Sequence, residues 1–279
     1  MIQRCYLEIT NVCNLNCIFC PKTKRKPATM TPEQFEQIIN KIKGQVRFLY
    51  FHLMGEPFMH QHLPHFIGVA KENNLVPVLT TNGTVLRNQD QIIEAQPHKI
   101  QVSLHSFEGN THEGLETYIK GVADFALKAS QRGIIMVLRL WNEGGYNQKN
   151  EQIVALLRAF LPMAWTRRDD GWKIDQNLYL EYDKMFEWPD MAHRQTNEPE
   201  LFCYALRNQI GILVDGTVVP CCLDHDGDIA LGNILNDDLP TILESDRARA
   251  LYDSFTHHKA IEPLCQRCGY AAVTKRFRK

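Results

Sequence analysis

The chain has 279 residues, and its 31 basic and 32 acidic side chains leave a formal net charge of −1. This length is enough to bury a large core, as one α/β domain or as a domain with an appendage. The near-neutral charge offers no field for a nucleic acid polymer or an anionic membrane, and no apolar run is long enough to span a membrane.

Nine cysteines are grouped near the two ends of the chain. No signal peptide precedes the first strand-like run, so we expect a cytoplasmic protein rather than a disulfide-bonded secreted one. Grouped cysteines in a cytoplasmic protein indicate metal ligands.

The first predicted strand, Tyr6–Thr10, leads into Cys13, Cys17 and Cys20, which are spaced Cys-x3-Cys-x2-Cys. Three thiolates bind three irons of a [4Fe–4S] cluster and leave the fourth open, whereas four cysteines usually close an electron-transfer cluster. A zinc knuckle is the alternative, but zinc requires a fourth ligand nearby. The spacing therefore predicts a cluster with one open iron.

A helix is predicted next, because Thr31 is a good N-cap, Pro32 suits the first helical position and Gln34 completes a capping box. Gly44 is predicted to end it. Phe35, Ile38, Ile39 and Ile42 form its apolar stripe.

Strands and helices then alternate, which predicts an α/β fold with a parallel sheet and helices outside it. The further strands are predicted at 46–53, 75–80, 99–104, 134–140 and 178–182, and the helices at 63–72, 89–95, 115–132 and 152–160. Residues 166–175 show no clear pattern.

The sequence pattern changes after residue 200, where short hairpin-like pieces and cysteines replace the alternating strands and helices. We therefore divide the chain into residues 1–200 and a small cysteine-rich α+β module at 201–279. Hairpin-like pieces at 209–214, 217–220 and 231–234 precede one predicted helix at 239–252. Cys203, Cys221, Cys265 and Cys268 are four candidate ligands for one closed iron–sulfur cluster, and a structural zinc site is the alternative.

The cysteine spacing, with Phe19 before the last cysteine and Gly55-Glu56-Pro57 one β/α unit later, resembles the radical S-adenosylmethionine (SAM) enzymes. This resemblance implies a partial (β/α)6 TIM-like barrel, open on one side, at 1–200. It also implies that a reduced [4Fe–4S] cluster cleaves SAM, and that the resulting 5′-deoxyadenosyl radical removes a hydrogen atom from a substrate.

The same resemblance implies the SAM contacts. Gly55-Glu56-Pro57 looks like the motif that binds the amino group, where Glu56 either accepts from the ammonium or orients the strand end. For the carboxylate and ribose of SAM, the candidates at strand ends are Thr81 or Asn82, Ser103 and Arg139.

The late cysteines resemble the SPASM and twitch extensions of this family, which implies a second [4Fe–4S] cluster. Only four cysteines suit it, which favours the shorter twitch type. Cys222 is interpreted as a packing residue, because adjacent residues seldom bind one cluster.

No catalytic acid or base is assigned. His52 and His105 are considered as proton donors at the barrel mouth, and Glu8 as a catalytic group that points into the barrel. The basic run Lys22–Lys26 is interpreted as a solvated loop or as a site that attracts an anionic substrate or an acidic electron donor.

We therefore expect a radical SAM enzyme acting on a small nucleotide- or sugar-like molecule, with a flavodoxin- or ferredoxin-type electron donor. The most specific hypothesis is a lyase that releases queuine from a queuosine nucleotide. The alternatives are maturation of a ribosomal peptide and, in a different class, an electron-transfer iron–sulfur protein.

Overall fold

The structure is a computed structural model, and it describes residues 2–110, 114–192 and 203–274. Its first half alternates strands and helices as predicted. The elements up to β5 are β1 Ile2–Leu7, α1 Pro32–Ile42, β2 Val46–Tyr50, α2 Leu63–Glu72, β3 Val76–Thr81, α3 Gln89–Glu94, β4 Lys99–Ser103, α4 His105–Glu108, α5 Leu115–Gln131 and β5 Ile135–Glu143.

The second half adds shorter elements. They are α6 Asn150–Phe160, β6 Thr166–Arg168, β7 Gly171–Asp175, β8 Leu178–Lys184, β9 Gln209–Ile212, β10 Thr217–Val219, β11 Gly232–Asn233, α7 Leu239–Leu243, α8 Asp246–Thr256 and α9 Gly269–Thr274. Among the described residues, no helix combines the length and apolar character needed to cross a membrane.

The strands form one open sheet in the order β11-β10-β9-β1-β2-β3-β4-β5-β8-β7-β6. The six strands β1 to β5 and β8 run parallel, which confirms the predicted six-strand α/β architecture. The helix predicted after the cysteines is also confirmed, since Thr31 and Gln34 form the capping box and the four predicted apolar side chains are buried. Gly44 follows it in a left-handed conformation, with φ 76°.

One expectation about the later chain was wrong, and one stretch without a predicted element forms strands. The predicted helix at 239–252 is two helices, because Ser245 adopts an extended conformation and caps α8 by accepting a hydrogen bond from the Ala248 N–H. Residues 166–175, which showed no pattern, form the hairpin of β6 and β7 and extend the sheet beyond β8.

The strands of the C-terminal module continue the sheet of the barrel. β9 pairs in parallel with β1, with Cys5 opposite Ile210, and β10 pairs with the other side of β9. The module is therefore hydrogen-bonded directly to the strand that precedes the first three cysteines.

Candidate functional site

A cavity of about 590 Å³ lies at the carboxyl ends of the parallel strands. Ligands bind at this end of parallel sheets in α/β folds. The cavity brings together the three early cysteines, Phe19 and most of the strand-end residues predicted from the sequence. Those lining it are Cys13, Cys17, Phe19, Cys20, Gly55, Glu56, Thr81, Asn82, Ser103 and Arg139. Pro57 lies behind this wall, buried at the start of a short 3-10 turn.

The cysteine loop leaves β1 and is tied to the loop after α4. The Ile18 N–H donates to the Gly109 carbonyl at 3.0 Å, and the Asn16 N–H donates to Asn110 Oδ1 at 2.7 Å. Glycine at position 109 allows the loop after α4 to approach the cysteine loop closely, because a Cβ there would stand 2.6 Å from the Phe19 ring. The ring of Phe19 also packs against His105, with centroids 5.2 Å apart.

Two sulfur atoms of this loop accept hydrogen bonds. Asn110 Nδ2 lies 2.9 Å from Cys17 Sγ, and the Leu15 N–H lies 3.4 Å from Cys13 Sγ. Burial raises the pKa of both thiols, and mutual repulsion among the loop thiolates raises it further. A bound metal would reverse this preference, because a coordinated thiol is deprotonated. The donor set and its N–H bonds fit an iron–sulfur cluster.

A buried ion pair holds the end of the cysteine loop against β1. Both carboxylate oxygens of Glu8 pair with the Arg25 guanidinium, at 2.8 and 2.7 Å, and Glu8 is 0% exposed. The same carboxylate accepts from the N–H groups of Met54 and Val214. Glu8 therefore joins four segments of the chain, and its contacts are those of a structural residue rather than those of the catalytic group considered from the sequence.

Gly55 allows the second motif to approach the chain before the cysteines. Its φ is 77°, and a Cβ would stand 2.2 Å from the Thr10 carbonyl oxygen. The next N–H, of Glu56, donates to the Val12 carbonyl at 2.9 Å. The motif thus fixes the backbone from which the cysteine loop departs.

A pair of glycine substitutions separates this close approach from backbone strain. Gly44 has nearly the same φ, 76°, with no atom within 4 Å of the Cβ position. We expect Gly44→Ala to lower the free energy of unfolding by about 1–2 kcal/mol, the cost of a left-handed alanine. Gly55→Ala should cost a further 1–3 kcal/mol or so, because its Cβ overlaps backbone. Denaturant unfolding of both variants measures the difference, and equal losses would contradict the role assigned to the contact.

The Glu56 carboxylate is engaged by protein groups. It accepts from the Phe58 N–H at 3.0 Å and from the Asn82 N–H at 2.7 Å, and it is 2% exposed. Burial raises its pKa to about 7, and the backbone hydrogen bonds oppose that shift. Of its two predicted roles, these contacts support orienting a strand end.

The polar residues that end β3 connect the strand to the cysteine loop. Asn82 Nδ2 donates to Asn14 Oδ1 at 3.0 Å, and its Oδ1 accepts from Thr84. Thr81 Oγ1 accepts a hydrogen bond from the Gly83 N–H and so stabilises the turn that follows β3. Asn82 therefore stands directly beside the cysteines.

Arg139 and Ser103 are opposite one another in the paired strands β4 and β5. The Arg139 guanidinium lies 3.8 Å over the Trp141 ring, and its Nε has no hydrogen-bond partner. Burial lowers its pKa to about 10, a value at which it stays charged at neutral pH. An unpartnered buried N–H of a cation facing a cavity suits an anionic ligand group.

The two histidines of the cavity wall are neutral. Burial lowers the pKa of His52 to about 3 and that of His105 to about 4, and the positive charge of Arg139 contributes to both shifts. His105 Nδ1 lies 3.2 Å from the Arg139 carbonyl, whereas His52 Nδ1 has no partner. They do not supply an acidic proton at neutral pH.

The four late cysteines also come together, outside the cavity. Burial raises the pKa of Cys203 to about 11 and also raises that of Cys221, and repulsion from Cys222, Cys203, Cys265 and Cys268 adds to the shift of Cys221. Yet in the described part of the chain no three Cys, His, Asp or Glu side chains converge on one metal ion.

Cys222 lines the cavity beside Tyr6 and stays within electrostatic reach of Cys203 and Cys268. It shares a hydrogen bond with the Tyr6 hydroxyl. This contact places Cys222 on the wall between the cavity and the late cysteines, a more specific position than the packing role predicted for it.

Sequence reasoning missed several residues of the site. Asn110 contacts Cys17, but nothing in its local sequence distinguishes it from any loop asparagine. Tyr6 could have been found, since it has the same strand parity as Glu8 and therefore faces the same side of the sheet. Trp141 has the parity of Arg139 along β5.

Two family models match this chain. The model of the radical SAM superfamily matches residues 7–158, and that of SPASM, an iron–sulfur cluster-binding domain, matches residues 203–269. The SPASM match contains all four late candidate ligands, Cys203, Cys221, Cys265 and Cys268.

Two curated proteins resemble the chain at low identity. The S-adenosyl-L-methionine-dependent 2-deoxy-scyllo-inosamine dehydrogenase of Niallia circulans is 20% identical over 96% of this chain and 92% of its own length. The sporulation killing factor maturation protein SkfB of Bacillus subtilis is 24% identical over 85% of this chain, which spans 64% of SkfB.

Solved structures show the same fold. BtrN in complex with AdoMet and 2-DOIA has a TM-score of 0.63 at 17% identity, covering 96% of this chain and 93% of BtrN. Streptococcus suis SuiB has a TM-score of 0.62 at 15% identity, covering 99% of this chain and 74% of SuiB. The open parallel sheet is therefore the radical SAM partial barrel.

Proposed function

Because this chain belongs to the radical SAM superfamily, we propose that it removes a hydrogen atom from a small molecule bound in the cavity beside SAM. The observation that carries this proposal is the single cavity that joins the three early thiols to the polar strand ends. Its volume of about 590 Å³ lies within the range for small-molecule sites, and SAM must share it with the substrate.

Cys13, Cys17 and Cys20 would hold the [4Fe–4S] cluster of this site. When bound, the cluster and SAM supply one-electron cleavage of SAM and a carbon-centred oxidant that abstracts hydrogen. The chain positions the reactants and excludes water. The Asn110 and Leu15 N–H groups stabilise the thiolates of Cys17 and Cys13 by hydrogen bonding to their sulfurs. Hydrogen bonds of this kind also affect the reduction potential of a cluster.

For SAM itself, we propose the residues predicted from the sequence. Phe19 and Gly55 shape the wall near the amino group with Pro57 buried behind it, and Asn82 or Thr81 and Ser103 offer hydrogen bonds. Arg139 pairs with the carboxylate, because this cation lines the cavity and its buried Nε has no hydrogen-bond partner among the described residues. Glu56 acts on SAM only indirectly: its carboxylate accepts a hydrogen bond from the Asn82 N–H and so orients Asn82.

The charges of the cavity wall favour a neutral or anionic substrate. Lys22 and Arg139 line it, whereas the charge of Arg25, which also lines it, is already paired with Glu8. The carboxylate in the wall belongs to Glu56, and both of its oxygens already accept backbone hydrogen bonds. A cationic substrate would therefore meet positive groups without a free counter-ion.

The relatives do not narrow the substrate further. The release of queuine, expected from the sequence, gains no support from them, so the proposal stays at the level of a small molecule. Peptide maturation is favoured by the likeness to SkfB, of which this chain spans 64%.

An anaerobic assay tests the function. The reconstituted protein is given dithionite and SAM, iron and zinc are counted, and 5′-deoxyadenosine is measured. About eight irons per chain, as two [4Fe–4S] clusters require, with 5′-deoxyadenosine formed, support the proposal. Iron without any SAM cleavage would favour the electron carrier instead.

The late cysteines yield a prediction with an internal control. We expect Cys268→Ala to lower the iron content by about half while some uncoupled SAM cleavage remains, since it removes one ligand from the second group only. Cys222→Ala should keep the full iron content, because Cys222 faces the cavity. Iron analysis of both variants is the measurement, and an equal iron loss would show that Cys222 is a ligand.

A further inference from the structure

Arg247, in the first turn of α8, joins three segments of the C-terminal module. Its Nε and Nη2 atoms donate to the two carboxylate oxygens of Glu262, at 2.7 and 2.9 Å. Its Nη1 donates to the Ala230 carbonyl and its Nη2 also donates to the Asp228 carbonyl, both at 3.1 Å. The guanidinium suits this arrangement because its N–H groups form a planar, rigid fork. One side chain thus connects α8, the loop before β11 and the segment that leads to Cys265.

The loop at 228–230 is in turn tied to Cys221. The Asp224 N–H donates to the Cys221 carbonyl at 3.4 Å. The Asp224 carboxylate, which is 1% exposed, accepts from the N–H groups of Asp228 and Ile229, both at 2.9 Å. The carbonyls that Arg247 binds therefore belong to a hydrogen-bonded loop that begins at Cys221.

The segment that contains Glu262 is tied to Cys265. The Glu262 carbonyl accepts from the Gln266 N–H at 3.1 Å, and the Cys265 carbonyl accepts from the Cys268 N–H at 3.3 Å. Burial raises the pKa of the Cys265 thiol, and the negative charges of the neighbouring cysteines, of Asp224 and of Glu262 add to that shift. Both carboxylates of the Arg247 network therefore lie close to this sulfur.

We propose that Arg247 is a positioning residue for the second iron–sulfur site, which it assembles by fixing Cys221 and Cys265 relative to each other. This inference rests on the proposal that the late cysteines bind a cluster. The two thiols belong to separate segments, and the path of hydrogen bonds that connects them passes through the Arg247 fork. Contacts that orient the ligands of a metal site change its metal affinity by about 10- to 100-fold.

The test replaces Arg247 and counts the metal. Arg247→Gln removes the fork and the charge, whereas Arg247→Lys keeps the charge without the fork. Glu262→Gln is milder, since it removes only the charge of the partner, and it keeps the test open if the Arg247 variants do not fold. Each protein is reconstituted without oxygen, its iron and sulfide are counted, and EPR spectra of the dithionite-reduced protein are recorded with and without SAM.

Arg249→Gln is the matched control. Arg249 lies in the same helix and pairs with Glu244 at 3.6 Å, with side chains 63% and 70% exposed. The substitution changes the net charge by the same amount as Arg247→Gln. An exposed pair of this kind contributes little to stability, so its loss should leave the late cysteines undisturbed.

We expect Arg247→Gln to lower the iron content from about eight to about four per chain. The part of the EPR signal that SAM does not alter should disappear, because a cluster closed by four cysteines offers SAM no iron. SAM cleavage with dithionite should stay within about twofold of the unmodified protein, because Arg247 lies outside the cavity wall. Arg247→Lys should lose iron to a similar extent and Glu262→Gln to a smaller one, whereas Arg249→Gln keeps all of it.

Other results would overturn this role. Full iron content in Arg247→Gln, or the same loss in Arg249→Gln, would mean that the fork is not needed. Full iron content in Arg247→Lys would mean that the positive charge alone is sufficient. Loss of both clusters, with SAM cleavage abolished, would mean that the whole fold depends on Arg247 rather than the second site.

The proposed function fails in a different way. If the unmodified protein binds about eight irons but forms no 5′-deoxyadenosine, SAM cleavage is refuted, and the iron contents of the variants still decide the role of Arg247. If the unmodified protein binds only about four irons and cleaves SAM, the second cluster and this inference are both refuted, whereas the proposed function stands.

Discussion

Replacing Cys17 by alanine is expected to reduce 5′-deoxyadenosine formation to background. Cys17 is buried at the base of the cysteine loop, and its sulfur accepts from Asn110 at 2.9 Å. Two remaining thiolates cannot hold three irons, so the open iron on which SAM cleavage depends would be lost. The measurement is anaerobic SAM cleavage with dithionite, together with iron content.

Cys5→Ala is the matched control for this substitution. Cys5 is a fully buried cysteine in β1, and its side chain lies in the core rather than in the cavity. This variant should lose a little stability, as small core truncations do, and keep both iron and activity. Full activity in Cys17→Ala would refute the assignment of the early cysteines.

Replacing Arg25 by methionine should cause the largest loss of stability. It leaves the Glu8 carboxylate, 0% exposed, without its counter-ion, and an uncompensated buried charge costs about 3–5 kcal/mol. The same change removes the hydrogen bond from Arg25 to the His225 carbonyl. We expect this decrease in the free energy of unfolding in denaturant titrations, and slower cluster reconstitution.

An exposed ion pair provides the comparison. Lys120 and Asp124 are 2.7 Å apart, with side chains 59% and 65% exposed. Lys120→Met should change the free energy of unfolding by no more than about 0.5 kcal/mol, because solvent screens such pairs. Similar losses in the two variants would mean that the Glu8–Arg25 pair does not join the loop to β1 as described.

Local sequence patterns were sufficient where one segment carries all of its own determinants. The helix after the cysteines is an example, since its cap, its first proline and its apolar stripe all lie between Thr31 and Ile42. The three early cysteines are another, because a seven-residue spacing within one loop holds the donors together whatever surrounds them. The alternation of strands and helices likewise predicted the parallel sheet.

Local patterns failed where the decisive contact comes from a distant segment. Glu8 looked like a possible catalytic group until the structure placed Arg25, 17 residues later, on both of its oxygens. Asn110 reaches Cys17 across 93 residues, and no local signal marks it. The helix at 239–252 was predicted as continuous because the extended conformation of Ser245 is not visible in apolar periodicity.

By itself, then, the sequence determined which early thiols are grouped, where the parallel strands end and which glycine lies close to an earlier segment of the same chain. These properties depend on short spacings and backbone geometry. Only the tertiary structure decided that β9 joins β1 and that Cys222 lines the cavity. Such features depend on the register of distant strands and on side-chain packing, because burial and pairing arise from the whole fold.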